Sequence, residues 1–549
     1  MLGGSGNDTI FGDDDDDTIL GGTGDDSISG DNSFFSGGGS NQSDSIAGNE
    51  GNDNISGSAA NDTIAGDNFN DSTSGYGYDI VGANDTINGN DGNDLIAGDQ
   101  FTAQTGADEA DIYGGNDVIT GGSGDDTIYG DGSYAASFNY YGVGEYVNGG
   151  NDNIDGGSGS DLIYGDWATI GGDIDYTLGG ADTIVGGSGS TDTIYGQGGD
   201  DIIAGDHLSV VDSVTVVGDD DVIDGGDGND SIAGDSFSVD TGANDAAHTI
   251  GGNDTIAGGN GDDTVYGDGV SFGNTDYTNF NEYAYGGDDN IDGGSGSDVI
   301  YGDWVTISSG NLYVVGGEDT IVGGSGSSDA IYGNGGDDLI AGDHLSVVDS
   351  VAVFGDDDSI DGGSGNDCIA GDSFSVDTGY NDAAHTYGGD DTIAGGSGND
   401  TIYGDGVSFG NTDYSNFNEY AYGGDDIITG GGGSDLLYGD WTTITAGNPL
   451  IAGGEDTFVY LSTSDGGDTI GDFQPGIDTI DVSAIDSGDG GVGDFSFNGT
   501  TPTGHGIWYT EGSGNTTLHF DTDNNTGTDE MTLTLVGTGL GLTSTDFIL

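Results

Sequence analysis

The side chains able to do chemistry in this chain are overwhelmingly carboxylates, and they recur in one phrase. Residues 3–8 (GGSGND), 21–26 (GGTGDD), 121–126 (GGSGDD), 156–161 (GGSGSD), 362–367 (GGSGND) and 395–400 (GGSGND) share the form G-G-x-G-x-D-x-U-x, where U is Ile, Leu or Val. Such a nonapeptide is a calcium-binding turn joined to a very short strand. Glycine adopts the positive φ values the turn needs and lets backbone carbonyls approach an ion. Carboxylate and carbonyl oxygens are the hard ligands that Ca²⁺ takes in sets of about six to eight. Zinc or copper would call for Cys and His, and the chain has 1 Cys and 6 His.

The repeated motifs, running from Gly3 to about Asp456, resemble the RTX, or haemolysin-type calcium-binding, repeat proteins. The resemblance implies an all-β chain: a calcium-bound parallel β-roll, or β-solenoid, with lateral loop insertions and a C-terminal β cap. Ile side chains would point inward, glycine turns would stack along both edges, and many Ca²⁺ ions would sit between stacked turns. It assigns as ligands the turn aspartates Asp8, Asp26, Asp53, Asp94, Asp126, Asp161, Asp192, Asp201, Asp230, Asp263, Asp298, Asp329, Asp338, Asp367, Asp400 and Asp435. The half-motif aspartates Asp117, Asp152, Asp254, Asp289, Asp391 and Asp426 join them, as do backbone carbonyls at glycines such as Gly121, Gly156, Gly293, Gly362 and Gly395. A disordered Gly/Ser/Asp linker would explain the composition but not the phased Ile.

The chain has 549 residues, 101 Asp and Glu and no Lys or Arg, for a formal net charge of −101. Self-repulsion expands such a chain, so folding and calcium binding should be one event. With dissociation constants like those of extracellular modules, roughly 10⁻⁴ to 10⁻³ M, the chain stays open in a low-calcium cytosol and folds outside the cell. Nucleic acid is excluded as a partner because no basic residue meets phosphate, and anionic membranes repel the chain. No apolar run approaches the ~18 residues of a membrane span, and residues 1–4 (MLGG) do not begin a cationic, apolar signal peptide. Hydrophobic residues make up 32%, too few for one broad core but enough for the narrow stripe of a solenoid.

A longer period overlies the short one. Trp167, Trp304 and Trp441 each follow Tyr-Gly-Asp, 137 residues apart (304 − 167 and 441 − 304). His207 and His344, inside the identical phrase GDHLSVVDSV, keep that interval, as do His248 and His385; Cys368 stands where Ser231 stands one block earlier and reads as a neutral substitution. The expected organisation is N-terminal repeats over 1–129, one block over 130–266, a second over 267–403, a partial third over 404–452 and the cap over 453–549. Each coil should be two strands with a tight edge and a looped edge. One module holds three strands because an extra turn is inserted, residues 196–201 (GQGGDD) and again 333–338 (GNGGDD). A block then has an odd number of strands, so successive blocks should present corresponding loops on opposite edges. The loops carry a β-prone run (Val210, Val214, Val216, Val217) and recurring aromatics: Phe272, Tyr277, Phe280, Tyr283 and Tyr285, then Phe409, Tyr414, Phe417, Tyr420 and Tyr422. These rings either cover the edge and stack on the next loop or form an exposed ladder for glycans or a neighbouring subunit.

From about Gly453 the pattern changes. Residues 468–483 (DTIGDFQPGIDTIDVS) and alternating segments such as 516–521 (TTLHFD) resemble the C-terminal cap of serralysin-like secreted proteins, although that family normally carries basic residues here. The terminal Asp546-Phe547-Ile548-Leu549 resembles the uncleaved signal presented to a type I secretion machine, or is the last strand of the cap. Asp521, Asp523, Asn525 and Asp529 could form one further calcium loop. No H-E-x-x-H helix, G-x-S-x-G elbow or phosphate loop followed by Lys is present, so no enzyme is expected, and His207 and His344 read as space-filling residues or a proton- or zinc-responsive pair. The expected protein is secreted, extracellular or at the cell surface, a structural rod that assembles into a fibre, sheath or surface layer. A repeat beginning at Gly3 suggests that another subunit stacks there. An adhesin or glycan-binding protein, and the calcium-folding region of a secreted enzyme, are the alternatives.

Overall fold

The structure is a computed structural model and describes residues 1–12, 17–30, 43–73, 79–105, 111–137, 146–172, 176–211, 215–240, 248–273, 282–308, 312–325, 328–348, 352–377, 385–410, 419–445, 449–487 and 495–549. Among them the elements are strands, apart from single 3₁₀ turns at Thr463–Asp465 and Ser544–Asp546, and no helix is long and apolar enough to cross a membrane. The chain forms two units, one of residues 1–285 with 304–314, the other of residues 286–303 with 315–549.

Each unit is a two-sheet parallel β-roll whose core is a pair of side-chain columns. In the first unit one column runs Ile10, Ile28, Ile55, Ile87, Ile119, Ile154, Ile184, Ile203, Ile232 in register. The facing column runs Ile19, Ile46, Ile64, Ile96, Ile128, Ile163, Ile194, Ile223, Ile256. The second unit repeats this with Ile321, Ile340, Ile369, Ile402, Leu437 and Ile470 in one sheet and Ile331, Ile360, Ile393, Ile428, Phe458 and Ile480 in the other. Period-two alternation puts every such residue inside, and the β-branched side chain suits the pleat. Between the columns the turns need glycine: Gly396 and Gly398 of turn 395–400 have φ of 99° and 152°, a region that L side chains rarely adopt.

The loops are not loops. In the first unit the insertions pair with one another coil by coil into parallel ladders. Asn70–Thr73, Thr102–Thr105, Tyr134–Ser137 and Ile170–Gly172 form one four-stranded sheet; Ile80–Val81, Ile112–Tyr113, Tyr146–Asn148 and Tyr176–Leu178 form its partner. Between them lies a separate small core of Ile80, Ala103, Ile112, Ala135, Val147 and Trp167. We call these stacks wings. Val210–Val211 and Thr215–Val217 begin the next one, as the β-prone run suggests, while Val214, Tyr277, Phe280, Tyr414 and Phe417 lie outside the described residues.

The inserted turn changes which sheet feeds the wings. Before it, wing chains leave strands of the Ile96–Ile128–Ile163 column; after it they leave strands of the other column, at Ile203 and Ile232. Strands of the second unit repeat the exchange: Val299–Tyr301 lies in one sheet and leads along the chain to Trp304, a residue of the first unit, while Leu436–Tyr438 lies in the other sheet and leads to Trp441. Corresponding insertions therefore leave opposite edges, as the strand count implies.

The cap closes the second unit. Gly506–Gly512, Asn515–Asp521 and Met531–Val536 form an antiparallel meander, whose last strand pairs parallel with Thr469–Ile470. Phe547–Ile548 adds to Thr479–Asp481, so in the folded chain the terminal segment is a strand, with Phe547 buried. Cys368 sits in register between Leu339 and Thr401, and burial pushes its thiol up, which makes it an inert core-edge residue. We predict that Ile369→Ala, at 0% exposure, lowers local stability by about 2–5 kcal/mol. Hydrogen exchange should show the loss at residues 368–370 and their ladder partners 339–341 and 401–403, with distant coils unchanged.

Candidate metal centre

The aspartates stack as strictly as the isoleucines. Each ladder Asp donates its backbone N–H to the Oδ1 of the equivalent Asp one coil on. In the first unit one ladder runs Asp8, Asp26, Asp53, Asp85, Asp117, Asp152, Asp182, Asp201, Asp230 and Asp263, at 2.6–2.8 Å per step. The second runs Asp17, Asp44, Asp62, Asp94, Asp126, Asp161, Asp192, Asp221 and Asp254. In the second unit the ladders are Asp289, Asp319, Asp338, Asp367, Asp400, Asp435, Asp468 and Asp298, Asp329, Asp358, Asp391, Asp426, Asp456. Every aspartate expected from the motifs lies on a ladder, and both edges carry one. The residues missed were Asp17, Asp44, Asp62, Asp85, Asp182, Asp221, Asp319, Asp358, Asp456 and Asp468. Each lies two residues before an Ile or Phe; Asp17, Asp44, Asp62, Asp85, Asp221 and Asp358 lack the preceding glycine pair of the full phrase, whereas Asp182, Asp319, Asp456 and Asp468 follow one.

One oxygen of each carboxylate is thus spoken for by an N–H. The other faces a cradle. Asp400 is 1% exposed and its Oδ2 has no hydrogen-bond partner. A Cβ on Gly395 would stand 2.5 Å from that oxygen and 2.7 Å from Gly430 O; on Gly362 it would stand 2.6 Å from Asp367 Oδ2 and 2.8 Å from Gly395 O. At Gly156 the hypothetical Cβ lies 2.6 Å from Asp161 Oδ2 and would overlap Gly186 O; at Gly293 it lies 2.7 Å from Asp298 Oδ2 and would overlap Gly323 O. At Gly121 it lies 2.5 Å from Gly156 O and would overlap Asp126 Oδ2. A carboxylate oxygen and a carbonyl oxygen from adjacent coils converge where a side chain would be, which is the donor set of a hard divalent cation. Calcium fits these residues and would neutralise the stacked carboxylates.

Without a cation, burial is the dominant influence on these acids. It pushes Asp53 and Asp400 up to about 6, Asp126, Asp201 and Asp230 to about 7, Asp85 and Asp338 to about 8, Asp221 to about 9 and Asp319 to about 10. Repulsion from neighbouring acids adds to the effect, and the ladder N–H bonds oppose it. Burial also raises Asp117, Asp254, Asp391 and Asp426 well above the carboxylate range.

His207 and His344 are held lower by burial, each with Nδ1 lacking a partner. That is the environment of a neutral imidazole.

In the cap the expected calcium loop is re-sorted. Asp521, Asp523 and Glu530 bring carboxylate oxygens within 4.8 Å of one another. Asp529 is instead 2.9 Å from His519 Nδ1, whose ring stacks on Trp508 at 5.4 Å. Asp521 is 0% exposed, with Oδ2 unpaired, so this loop is a further place where a cation fits. The described aromatics stack along the axis: Tyr129 on Tyr164, Tyr164 on Tyr195, Phe354 on Tyr387 and Tyr387 on Tyr422, at 4.9–5.3 Å.

Metal-free chain should respond to pH with a definite sign. Folded-state pKa values above the ordinary 3.8 make the protonated acids the compatible ones. Stability of the apo roll is therefore full below pH 3.8 and lost as pH rises through about 6 (Asp53) towards about 10 (Asp319). Far-UV circular dichroism in chelator should show strand signal gained on acidification from pH 8 to pH 4, and calcium should remove that dependence.

Two comparisons with protein families agree with this geometry. The model of the RTX calcium-binding nonapeptide repeat (4 copies) matches residues 2–34, 38–72, 82–102, 113–133, 146–168, 176–206 and 212–238. The model of the Peptidase M10 serralysin C terminal matches residues 254–549, more than half of the chain. No curated protein matches the chain.

Proposed function

The chain belongs to the family of RTX calcium-binding repeat proteins with a serralysin C-terminal domain, and on that premise we propose that it is a structural protein that self-assembles outside the cell into a fibre, sheath or surface layer. The premise itself carries calcium binding, the β-roll and the association with type I secretion. The serralysin C-terminal domain is the non-catalytic part of metalloprotease-related proteins.

The observation that supports assembly is the state of the wing edges. Strand Ile170–Gly172 ends one wing sheet and Tyr176–Leu178 its partner, with Ile170 41% and Leu178 63% exposed. At the open side of other wings Val217 is 57% and Phe354 65% exposed. Edge strands with bare apolar side chains are templates for pairing with another chain, and here they are repeated along each unit. A dense negative surface would oppose such contacts until calcium reduces the charge. The expected calcium ligands are the ladder aspartates named above, the terminal segment 546–549 is the proposed secretion signal, and the five-part organisation read from the sequence is the proposed division.

A second reading has its own support. Phe354, Tyr387 and Tyr422 form a nearly parallel stack, with interplanar angles of 2° and 5°, in which Phe354 and Tyr387 are exposed and Tyr422 half-buried, and exposed aromatic faces suit an adhesin that binds glycans. As the calcium-folding region of a secreted enzyme the chain would need a separate catalytic part, and the serralysin match favours that arrangement.

Calcium titration followed by circular dichroism, light scattering and electron microscopy separates these readings. We expect strand formation at roughly 10⁻⁴ to 10⁻³ M calcium, followed by fibres or sheets that dissolve in chelator. Folded monomers that persist at high concentration would overturn the assembly reading and promote the adhesin. Digestion controls must use chymotrypsin, since trypsin has no Lys or Arg to cleave after.

A further inference from the structure

Every wing leaves the roll through a turn whose second residue is Asp. In the described turns between Gly3 and Gly433 that carry no wing, this position is Gly or an uncharged residue such as Asn90, Gln197 or Asn334. Neck acids include Asp99, Asp131, Asp166, Asp372, Asp405 and Asp440. None lies on the ladders, and none belongs to the G-G-x-G-x-D phrase. Each reaches across the neck and accepts the backbone N–H of the glycine at which the wing re-enters: Gly115 for Asp99 and Gly180 for Asp166 at 2.8 Å, Gly389 for Asp372 and Gly424 for Asp405 at 2.9 Å. The bond recurs although the acid and the glycine are separated by 14 to 19 residues, so it belongs to the neck and not to any particular wing.

That bond uses one oxygen. Asp99 Oδ1, Asp166 Oδ2, Asp372 Oδ2 and Asp405 Oδ2 are buried with no hydrogen-bond partner, in side chains that are 0%, 5%, 2% and 0% exposed. Where a neighbouring coil supplies an amide the second oxygen is satisfied: at Asp440, Oδ1 accepts the Gly454 N–H and Gln474 Nε2 donates to Oδ2, both at 2.8 Å. Successive neck acids also aim at one another. A Cβ on Gly388 would overlap Asp405 Oδ1 and stand 2.9 Å from Asp372 Oδ2; on Gly423 it would overlap Asp440 Oδ1 and stand 2.8 Å from Asp405 Oδ2. On Gly149 it would overlap Asp166 Oδ1 and stand 3.1 Å from Asp131 Oδ2. Successive carboxylates thus share a side-chain-free space at the neck, and two buried carboxylates cannot share it uncompensated. Beside Asp166 and Trp167 a cavity of about 310 Å³ leaves a hydrated ion a way in.

We propose that the wing necks are a second set of divalent-cation sites, in which the neck acids of adjacent coils supply carboxylate oxygens in place of the turn backbone that each wing displaces. The ion is calcium-like: a hard cation held by two carboxylates, with backbone carbonyls and water completing its shell. It fastens each wing to the wing of the next coil and leaves the roll's own ladders untouched. The proposal rests on the calcium reading of the repeats.

The test compares two double variants of the full chain, Asp372→Asn with Asp405→Asn at the necks and Asp367→Asn with Asp400→Asn at tight turns. Bound calcium is counted by equilibrium dialysis with elemental analysis, and wing integrity is followed by chymotrypsin cleavage near Tyr387 and Tyr422. The neck variant should bind about two fewer ions per chain, keep its far-UV strand signal, and be cut about tenfold faster in the wings at subsaturating calcium. A full complement of calcium, or wings as resistant as those of the parent chain, overturns the proposal. Loss of no calcium from the tight-turn variant would instead overturn the calcium reading itself. Should the neck variant fail to fold, Asp166→Asn is read by terbium: emission sensitised by the adjacent Trp167 should fall at least twofold, and unchanged emission overturns the proposal.

Discussion

A carboxylate can be buried only if its charge is met, and this chain contains nothing of its own to meet it. With 101 acids and no Lys or Arg, the ladders offer each aspartate a single N–H and leave its second oxygen facing a carbonyl. Both remaining partners at the cradle, carboxylate and carbonyl, are electron-rich. The arrangement is repulsive as it stands and attractive once a dication enters, so ion and fold are thermodynamically one system. Everything else in the molecule is arranged to repeat that situation coil after coil.

The apolar half of the fold is correspondingly slight. Two single-file columns of Ile replace a broad core, and each residue in them is sealed by its neighbours above and below. Such stacking makes stability a sum of nearest-neighbour terms. The cap is where this logic stops: an antiparallel meander with ordinary alternation covers the last coil of the second unit, and its strand Met531–Val536 takes the place that another repeat would occupy.

How much of this could be read in advance depended on whether the determinant was local. The phase of Gly, Asp and Ile is set within nine residues, so the roll, its turns and the ligand class were legible. Acids such as Asp85 and Asp358 were hidden because a strand needs only the Asp-x-Ile spacing, not the glycine pair that marks a tight turn. The wings were read as loops because their pairing partners lie about one coil away in dissimilar sequence: Thr102–Thr105 pairs with Asn70–Thr73 and Tyr134–Ser137, which share almost no residues. The exchange between Asp529 and Glu530 in the cap had no sequence signal at all. It follows from hairpin register, which sets His519 opposite Thr532 and leaves its ring free to reach Asp529.

The inserted turns at 196–201 and 333–338 bear on how such a molecule evolves. In a two-strand coil, duplication of an even number of strands can only lengthen a comb whose teeth all point one way. A single additional strand changes parity, and every insertion downstream emerges from the reverse side without any alteration to its own sequence. Within the first unit one short glycine-rich phrase is enough to turn a one-sided array into a two-sided one, so bilateral display is set by counting strands and not by redesigning a surface.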